Sequence, residues 1–404
     1  MILQLSDKQK EYWNHAQRRW NVKSGATRSG KTYLDYFMIP KRIRRVQGLD
    51  GIVVLLGNTK GTLQRNIITP LQKIWGSRYV SDIKADNTAF LFGEKVFCLG
   101  ADKINQVDRL RGSGIKYCYG DEVVTWHEDV FSMLKSRLDK DYSMFDGTCN
   151  PENPRHWFKQ FLDSDADLFL QNYSIDDNPF LPQSVKENLK REYFGSIFFD
   201  RYILGKWVNA EGLIYRMFAD KPERYLIKKE QLPELHTFTI GEDFGKNKSG
   251  HAVVLSAIGT DGRLYFLKAI FKKAEGTLVE DVVDWSVDTF EKFFEAYPYF
   301  FDVYPDSAES SLINSIRAKS RFSVYPSIKP EIIDRIRVLN RLFATDRVRF
   351  VEGECDELIK AFSEALWDDK SLIDKRLDNG TFNNDIIDAA EYSFTYNMKY
   401  FERS

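Results

Sequence analysis

The stretch Gly25-Ala-Thr-Arg-Ser-Gly30-Lys31-Thr32 limits what this chain can fold into more than any other. It fits G-x-x-x-x-G-K-T without a mismatch, and the pattern has a mechanical reason. Glycines at Gly25 and Gly30 let successive backbone N–H groups, Ser29 included, curl around phosphate oxygens. Lys31 then meets the β- and γ-phosphates, and the Thr32 hydroxyl holds Mg²⁺. Leu34, Phe37, Met38 and Ile39 follow as apolar positions, which predicts a helix whose N-terminus faces the anion. A glycine turn with a chance lysine is the plain alternative. The motif names a nucleotide but not the work done with it.

A second run bears on the same chemistry. Ile115-Lys-Tyr-Cys-Tyr-Gly120-Asp121-Glu122 is a β-prone stretch ending in two acids, the shape of a Walker B strand. Asp121 is placed to bind Mg²⁺ through water, and Glu122 to polarise the attacking water as general base. Solvated acids at a strand exit are common, so the pair gains its weight from the upstream loop. The strand Ser143 to Pro151 ends in small polar residues that suit a place beside the γ-phosphate, or a plain Asn-Pro turn. Near the start, Ser6 and Gln9 have capping-box spacing for a helix from Ser6 to Trp20. Gln9 is equally a candidate for an adenine edge.

At 404 residues the chain exceeds one ordinary core, which predicts two or three domains. With 43% apolar and 29% charged residues it is folded, not disordered. A net charge of −1 removes any bulk electrostatic sign of a nucleic-acid binder, so such a surface must be a local patch. No apolar run approaches a membrane span, and the first residues lack a signal-peptide core, so a soluble cytosolic protein is expected. Cys98, Cys118, Cys149 and Cys355 stand apart, with no C-x-x-C pair and only scattered histidines, which argues against zinc or a Cys/His nucleophile. They read as buried small hydrophobes.

The motifs also come in a telling order: G-A-T-R-S-G-K-T, R-L-R-G-S at Arg109 to Ser113, Y-G-D-E, G-T-C-N-P, and L-G-K-W-V at Leu204 to Val208. This succession resembles the large terminase subunit of tailed bacteriophages, above all its prophage-type members, over nearly the whole chain. The resemblance implies an ATP-driven motor that packages double-stranded DNA, with a second, DNA-cutting domain. It implies Arg28 as an arginine that steadies transition-state charge in cis, with Arg109 or Arg111 as candidates in trans. The partners it implies are the procapsid portal protein and a small terminase subunit, in the cytoplasm of the bacterial host. The chain would be an oligomer on the portal, with a monomeric free form allowed, and would have no membrane role.

The fold class expected is α/β: an N-terminal P-loop (ASCE-type) ATPase domain with a mainly parallel sheet, then a C-terminal RNase H-like α/β nuclease domain. The boundaries predicted are 1–210 for the motor, 211–235 for a charged, aperiodic linker and 236–404 for the nuclease. Phe194 to Trp207, dense in aromatics, is expected to close the motor domain. After Leu235 the pattern reads β-β-β-α-β-α-β-α, with a hairpin at Gly259-Thr-Asp-Gly262. That order resembles the RNase H-like arrangement, in which acids from the first strand, fourth strand and last helix converge on metal.

Those positions are filled. Asp243 ends the first strand, Asp306 ends the fourth, and Asp385 and Asp388 open the last helix on one face. Carboxylates gathered this closely repel, and each unit of raised pKa stands for about 1.4 kcal/mol. Two Mg²⁺ or Mn²⁺ ions about 4 Å apart would offset that repulsion and serve in-line phosphodiester hydrolysis. Glu242 and Glu309 are reserves. Asp385 stands where many relatives of the resembled family carry histidine, which leaves the second metal's ligands open. Lys329 falls where a basic residue would approach the cut site, and Arg337 and Arg341 share a helical face that suits DNA phosphates or solvent, with Arg335 to one side. Two other readings remain: a helicase or repair ATPase fused to a nuclease, and a non-cutting ATP-binding assembly module.

Overall fold

A computed structural model describes residues 4–103, 112–245, 250–274, 279–371, 373–378 and 383–402. The chain divides into two compact units. The first comprises residues up to Leu189 with Ile197–Asn209; the second comprises Lys190–Ser196 and the chain from Ala210 onward.

The first unit is built on β1 (Trp20–Gly25), β2 (Ile52–Gly57), β3 (Thr88–Leu91), β4 (Glu94–Gly100), β5 (Ile115–Gly120), β6 (Met144–Cys149) and β7 (Leu168–Tyr173), in the order β3-β4-β2-β5-β6-β1-β7. All neighbours run parallel except β3 with β4. Every residue of β1, β5 and β6 is buried, as expected of central parallel strands covered on both faces. One face packs Trp20, Phe131 and Phe145; the other packs Ile43, Leu55 and Tyr117.

Helix α1 (Asp7–His15) starts from a complete Ser6/Gln9 capping box. It stops short of the expected Trp20, because Trp20 opens β1 and pairs with both β6 and β7. Helix α2 (Lys31–Val46) follows the phosphate-loop motif as predicted. Two buried ion pairs hold α2 to the sheet: Asp35 to Lys23 of β1 and Arg42 to Asp146 of β6, both at 2.7 Å. Between β2 and β3, the helical stretch starting at Lys60 is interrupted by a π-turn at Gln64–Ile68, while Pro70 sits harmlessly in the first turn of the next segment.

The second unit has β8 (Leu226–Ile227), β9 (Leu235–Asp243), β10 (Gly250–Gly259), β11 (Leu264–Lys273), β12 (Asp302–Pro305), β13 (Ser323–Val324) and β14 (Val348–Val351), in the order β13-β12-β9-β10-β11-β14-β8. Strands β9 to β11 form an antiparallel meander, and β12 runs parallel to β9 with β13 beyond it. Counted from β9, the spatial order is 5-4-1-2-3, the RNase H-like order. The helix Asn384–Thr395 lies against β9 at Gly241, where a Cβ would come within 1.9 Å of the Ala389 carbonyl oxygen. Only glycine permits that approach, and it brings the helix down on the face that carries Asp243 two residues on.

Residues 211–235 are not a free linker. Leu226–Ile227 joins β14, the Ile214 N–H donates to the Ala365 carbonyl, and Tyr215, Phe218 and Tyr225 are fully buried among Phe343, Phe350 and Phe362. Local periodicity is weak because this stretch is held by tertiary packing. Of the aromatic run expected to close the first unit, Phe198, Tyr202 and Ile203 are buried there, while Phe194 falls in the second unit. The four cysteines are buried and unbridged. Among the described residues no helix is long and apolar enough to cross a membrane.

Candidate nucleotide and metal sites

At the C-terminal edge of the first sheet, β1 passes into α2 through the glycine-bounded loop. Gly25 has φ +147°, and a Cβ there would sit 2.0 Å from the Tyr173 carbonyl oxygen. Gly30, the N-cap of α2, is left-handed at φ +87°. Arg28 is also left-handed, at φ 53°, a strained conformation for a residue with a Cβ. The Lys31 ammonium donates to the carbonyls of Gly25 at 2.7 Å and Ala26 at 2.5 Å, and to Asn150 Oδ1 at 3.2 Å. Burial lowers its pKa to about 8.

A cavity of about 540 Å³ opens over this loop, bordered by Arg28, Lys31, Thr32, Tyr36, Glu122 and Asn150. Its acidic side comes from the end of β5. Asp121 is buried and accepts from Thr148 Oγ1 and Asn66 Nδ2, each at 3.3 Å. Burial, and then the charge of Glu122, lifts its carboxyl to about 7. Glu122 has φ 51° and ψ 52°, and this left-handed turn directs its side chain to the cavity wall. Ammonium, guanidinium, hydroxyl and the Glu122 carboxylate thus border one cavity, with Asp121 buried next to it in sequence, a set whose chemistry suits a phosphate chain with a divalent ion.

Gln9, the adenine-edge candidate, is engaged within the protein. Its Oε1 accepts from the Ser6 N–H at 2.9 Å, and its Nε2 donates to the Gly30 carbonyl at 2.9 Å. The amide is engaged by the cap and by the loop, so Gln9 braces the loop. Sequence spacing had pointed to the cap; the bond to Gly30 is a contact that only the fold creates. Arg109 and Arg111 lie outside the described residues.

In the second unit, Asp243 is buried at the end of β9 and close to Asp306, Asp385 and Asp388. Burial, then the charges of Asp388, Asp385 and Asp306, push its carboxyl well above the usual carboxylate range. The Asp243 and Asp306 carboxyls lie within hydrogen-bonding reach of each other. Asp306 also accepts from the Ala308 N–H at 2.8 Å and pairs with Lys329. Burial alone would raise Asp306, but Lys329 outweighs it and holds the carboxyl below its ordinary value. Asp385 Oδ2 accepts from the Gly250 N–H at 2.7 Å.

Asp388 is gripped from one side. Its Oδ1 takes bonds from Arg335 Nη1 at 3.0 Å and Arg376 Nη2 at 2.7 Å, and the same two nitrogens reach Glu391 Oε2 at 2.6 and 2.8 Å. Tyr215 donates to the other Glu391 oxygen at 3.3 Å. Glu391 is wholly buried and both arginines nearly so. The donor set is all oxygen and suits a hard divalent ion in charge and chemistry. Among the described residues, though, no three acid, histidine or cysteine side chains stand at one common ligating point, and Lys329, the Gly250 N–H and the two arginines each hold an aspartate.

Glu242, a reserve in the sequence reading, points away. Strand alternation turns it to the opposite face, where it is fully buried, takes a bond from Ser286, and is pushed up to about 8 by burial. Glu309 stands at the N-cap position of the helix Ser310–Lys319, without a side-chain capping bond. Arg335 turns inward to the acids, while Arg337 pairs with Asp334 and Arg341 with Glu192. Sequence reasoning missed Arg335, Arg376 and Glu391 as site neighbours. Glu391, three residues after Asp388 on one helical face, was the available signal.

A family model described as "Terminase large subunit, T4likevirus-type, N-terminal" matches residues 24–219. Among curated proteins no relative matches. A solved structure of the large terminase from a thermophilic bacteriophage is 26% identical with a TM-score of 0.82, covering 97% of this chain and 99% of that one. The same phage protein solved in complex with ADP is 25% identical, with a TM-score of 0.78 over 97% and 99% of the two chains. A third structure of that protein, with ATP-gamma-S, shares the fold at 24% identity and a TM-score of 0.77, covering 96% and 98%. A phosphate-binding loop facing strand-end acids, a family model matching residues 24–219 and an end-to-end likeness in fold lead to one conclusion: the chain is similar to the large subunits of bacteriophage terminases.

Proposed function

We propose that the first unit hydrolyses ATP to drive double-stranded DNA into a procapsid, and that the second unit cuts the concatemeric genome with Mg²⁺ or Mn²⁺. The observation that carries this reading is the presence, in one chain, of a phosphate-loop cavity edged by Glu122 and a separate buried set of aspartates on an RNase H-like sheet. The motor is assigned to residues 1–210 and the nuclease to the unit that follows.

In the first unit, Lys31 and the loop N–H groups bind the β- and γ-phosphates, and Thr32 with Asp121 holds the accompanying Mg²⁺. Arg28 steadies charge on the transferred phosphoryl group, and Glu122 takes the proton of the attacking water. The ADP complex of the thermophilic phage protein supports nucleotide use here. In the second unit, Asp243, Asp306 and Asp388 are the proposed metal ligands, with Asp385 adjoining. Bound divalent ions would supply an activated water and stabilise the leaving oxygen. Lys329 keeps Asp306 ionised, and Arg335 with Arg376 fixes the Asp388 side chain. On the same reading the chain works in the host cytoplasm as an oligomer on the portal, beside a small terminase subunit.

The test separates the two activities. Lys31→Ala or Glu122→Ala should abolish ATP turnover and leave Mn²⁺-dependent plasmid cutting intact, and Asp243→Ala should do the reverse. Plasmid cutting by Asp243→Ala at the wild-type rate would remove the metal assignment.

A further inference from the structure

Beyond its nucleotide cavity, the first unit carries a groove of about 1200 Å³. One wall is a face of α2 bearing Phe37, Pro40 and Arg44; the other carries Trp75, Arg78 and Phe92. The groove also has Lys41, and among the described residues no carboxylate lines it. Its volume exceeds the ~300–1,000 Å³ usual for a small-ligand pocket. From Phe37 to the C-cap Gln47, α2 runs about 15 Å, nearly three helical turns.

Trp75 is fixed in place by a hydrogen bond that α2 itself cannot make. Pro40 has no N–H, which leaves the Tyr36 carbonyl without its helical donor, and the Trp75 indole N–H supplies one at 2.8 Å. The indole is nonetheless 39% exposed. A large aromatic held at the surface by a specific hydrogen bond is an anchor point.

An aromatic, basic groove has two natural occupants, and the ring geometry separates them. Single-stranded nucleic acid needs open ring faces for its bases and a run of cations for its phosphates. Here the face of Trp13 is covered by the Lys41 ammonium, 3.9 Å from the ring centroid, and that ammonium also donates to the Trp13 carbonyl at 2.8 Å. Trp75 meets Phe37 and Phe92 edge to face, with centroids 5.9 and 5.7 Å apart. Trp13, Phe37, Trp75 and Phe92 are engaged in this way, which leaves Tyr79 as a single exposed ring without such a contact among the described residues, too few for a stacking track. Of the groove's cations, Arg44 and Arg78 alone have no hydrogen-bond or ion-pair partner among the described residues. Two guanidinium groups flanking an apolar floor match a helix with bulky apolar residues on one side and carboxylates beside them. The geometry points to a docking site for an acidic amphipathic helix of a partner protein, its apolar side chains seated between α2 and Trp75 and its carboxylates paired with Arg44 and Arg78.

The test uses the full chain and fluorescence anisotropy of three labelled probes. These are an 18-residue helical peptide with Leu and Phe on one side and Glu on the other, its Glu→Lys counterpart, and a 20-mer oligothymidylate. The acidic peptide should bind the wild-type chain. Arg44→Glu with Arg78→Glu should weaken it at least tenfold and make the lysine peptide the better ligand, and Trp75→Ala should weaken both pairings. ATP hydrolysis by the charge-reversed variant should match wild type, which keeps loss of fold out of the result. Absence of acidic-peptide binding, equal binding of the two peptides, or insensitivity to charge reversal would overturn the site. Loss of oligothymidylate binding on charge reversal would make the groove a nucleic-acid track instead.

Discussion

Asp388 illustrates how neighbours decide what one carboxylate can do. One of its oxygens is held by two nearly buried arginines that also neutralise Glu391, so the side chain has one direction in which to offer its other oxygen. Arg376→Gln would leave Glu391 with a single guanidinium partner, and breaking a buried pair this way costs about 3–5 kcal/mol. Urea unfolding should show a loss of that order, whereas Asp388→Asn should leave stability nearly unchanged and remove cutting. The acids of this site were legible in the sequence because each ends a strand or opens a helix. The arginines were not, since Arg335 sits in a charged helix and Arg376 in an irregular stretch, and nothing local distinguishes a cation that turns inward. Glycines fall between. Gly25 was legible as part of a motif, but its reason is the Tyr173 carbonyl on a strand about 150 residues away in sequence. Gly25→Ala should therefore lower both nucleotide binding and thermal stability, and binding of a fluorescent ATP analogue together with a melting curve measures both.

Helix α2 connects the phosphate loop to the sheet, and its grip is ionic as well as apolar. Arg42 and Asp146 are buried at 2.7 Å, and the Tyr12 hydroxyl donates to the same carboxylate at 3.0 Å. Burial alone would raise Asp146, but Arg42 outweighs it and holds the carboxyl below 3.8. A carboxyl whose folded pKa is depressed adds stability that is fully present above its unfolded value and is lost as pH falls through the folded one. Asp146→Asn should then cost several kcal/mol at neutral pH and progressively less toward pH 3, read as converging unfolding curves for the two proteins. The periodicity of α2 and the mostly apolar run of β5 were legible because parallel strands buried on both faces are dominated by apolar residues. The π-turn at Gln64–Ile68 was not legible. It carries Asn66, whose Nδ2 reaches Asp121, and its geometry answers to that distant strand end more than to its own residue pattern.

At the scale of the whole chain, each unit closes its own core around its own sheet, and the boundary between them is where packing and local pattern disagree most. Residues 211–235 look like a tether: charged, short of periodicity, and lying between a dense aromatic run and a clear strand. The fold instead uses them to finish the second unit. Tyr215, Phe218 and Tyr225 sit wholly inside the cluster of Phe343, Phe350 and Phe362, and Leu226–Ile227 covers the β14 edge of the sheet. Removing one such aromatic from a core costs about 3–5 kcal/mol, so removing three exceeds most of the ~5–15 kcal/mol by which a domain is stable. A fragment of residues 236–404 should fail to fold. A fragment of residues 210–404, which keeps those side chains, should fold with dispersed amide NMR signals and, on the proposed assignment, cut plasmid DNA with Mn²⁺. It gives up the segment Lys190–Ser196, which carries the Glu192 partner of Arg341 and packs Gly195 beside Met217, but keeps the aromatic cluster whole. Equal signal dispersion from the two fragments would mean that the aromatic cluster is dispensable, and that the segment preceding β9 is the tether its composition suggests.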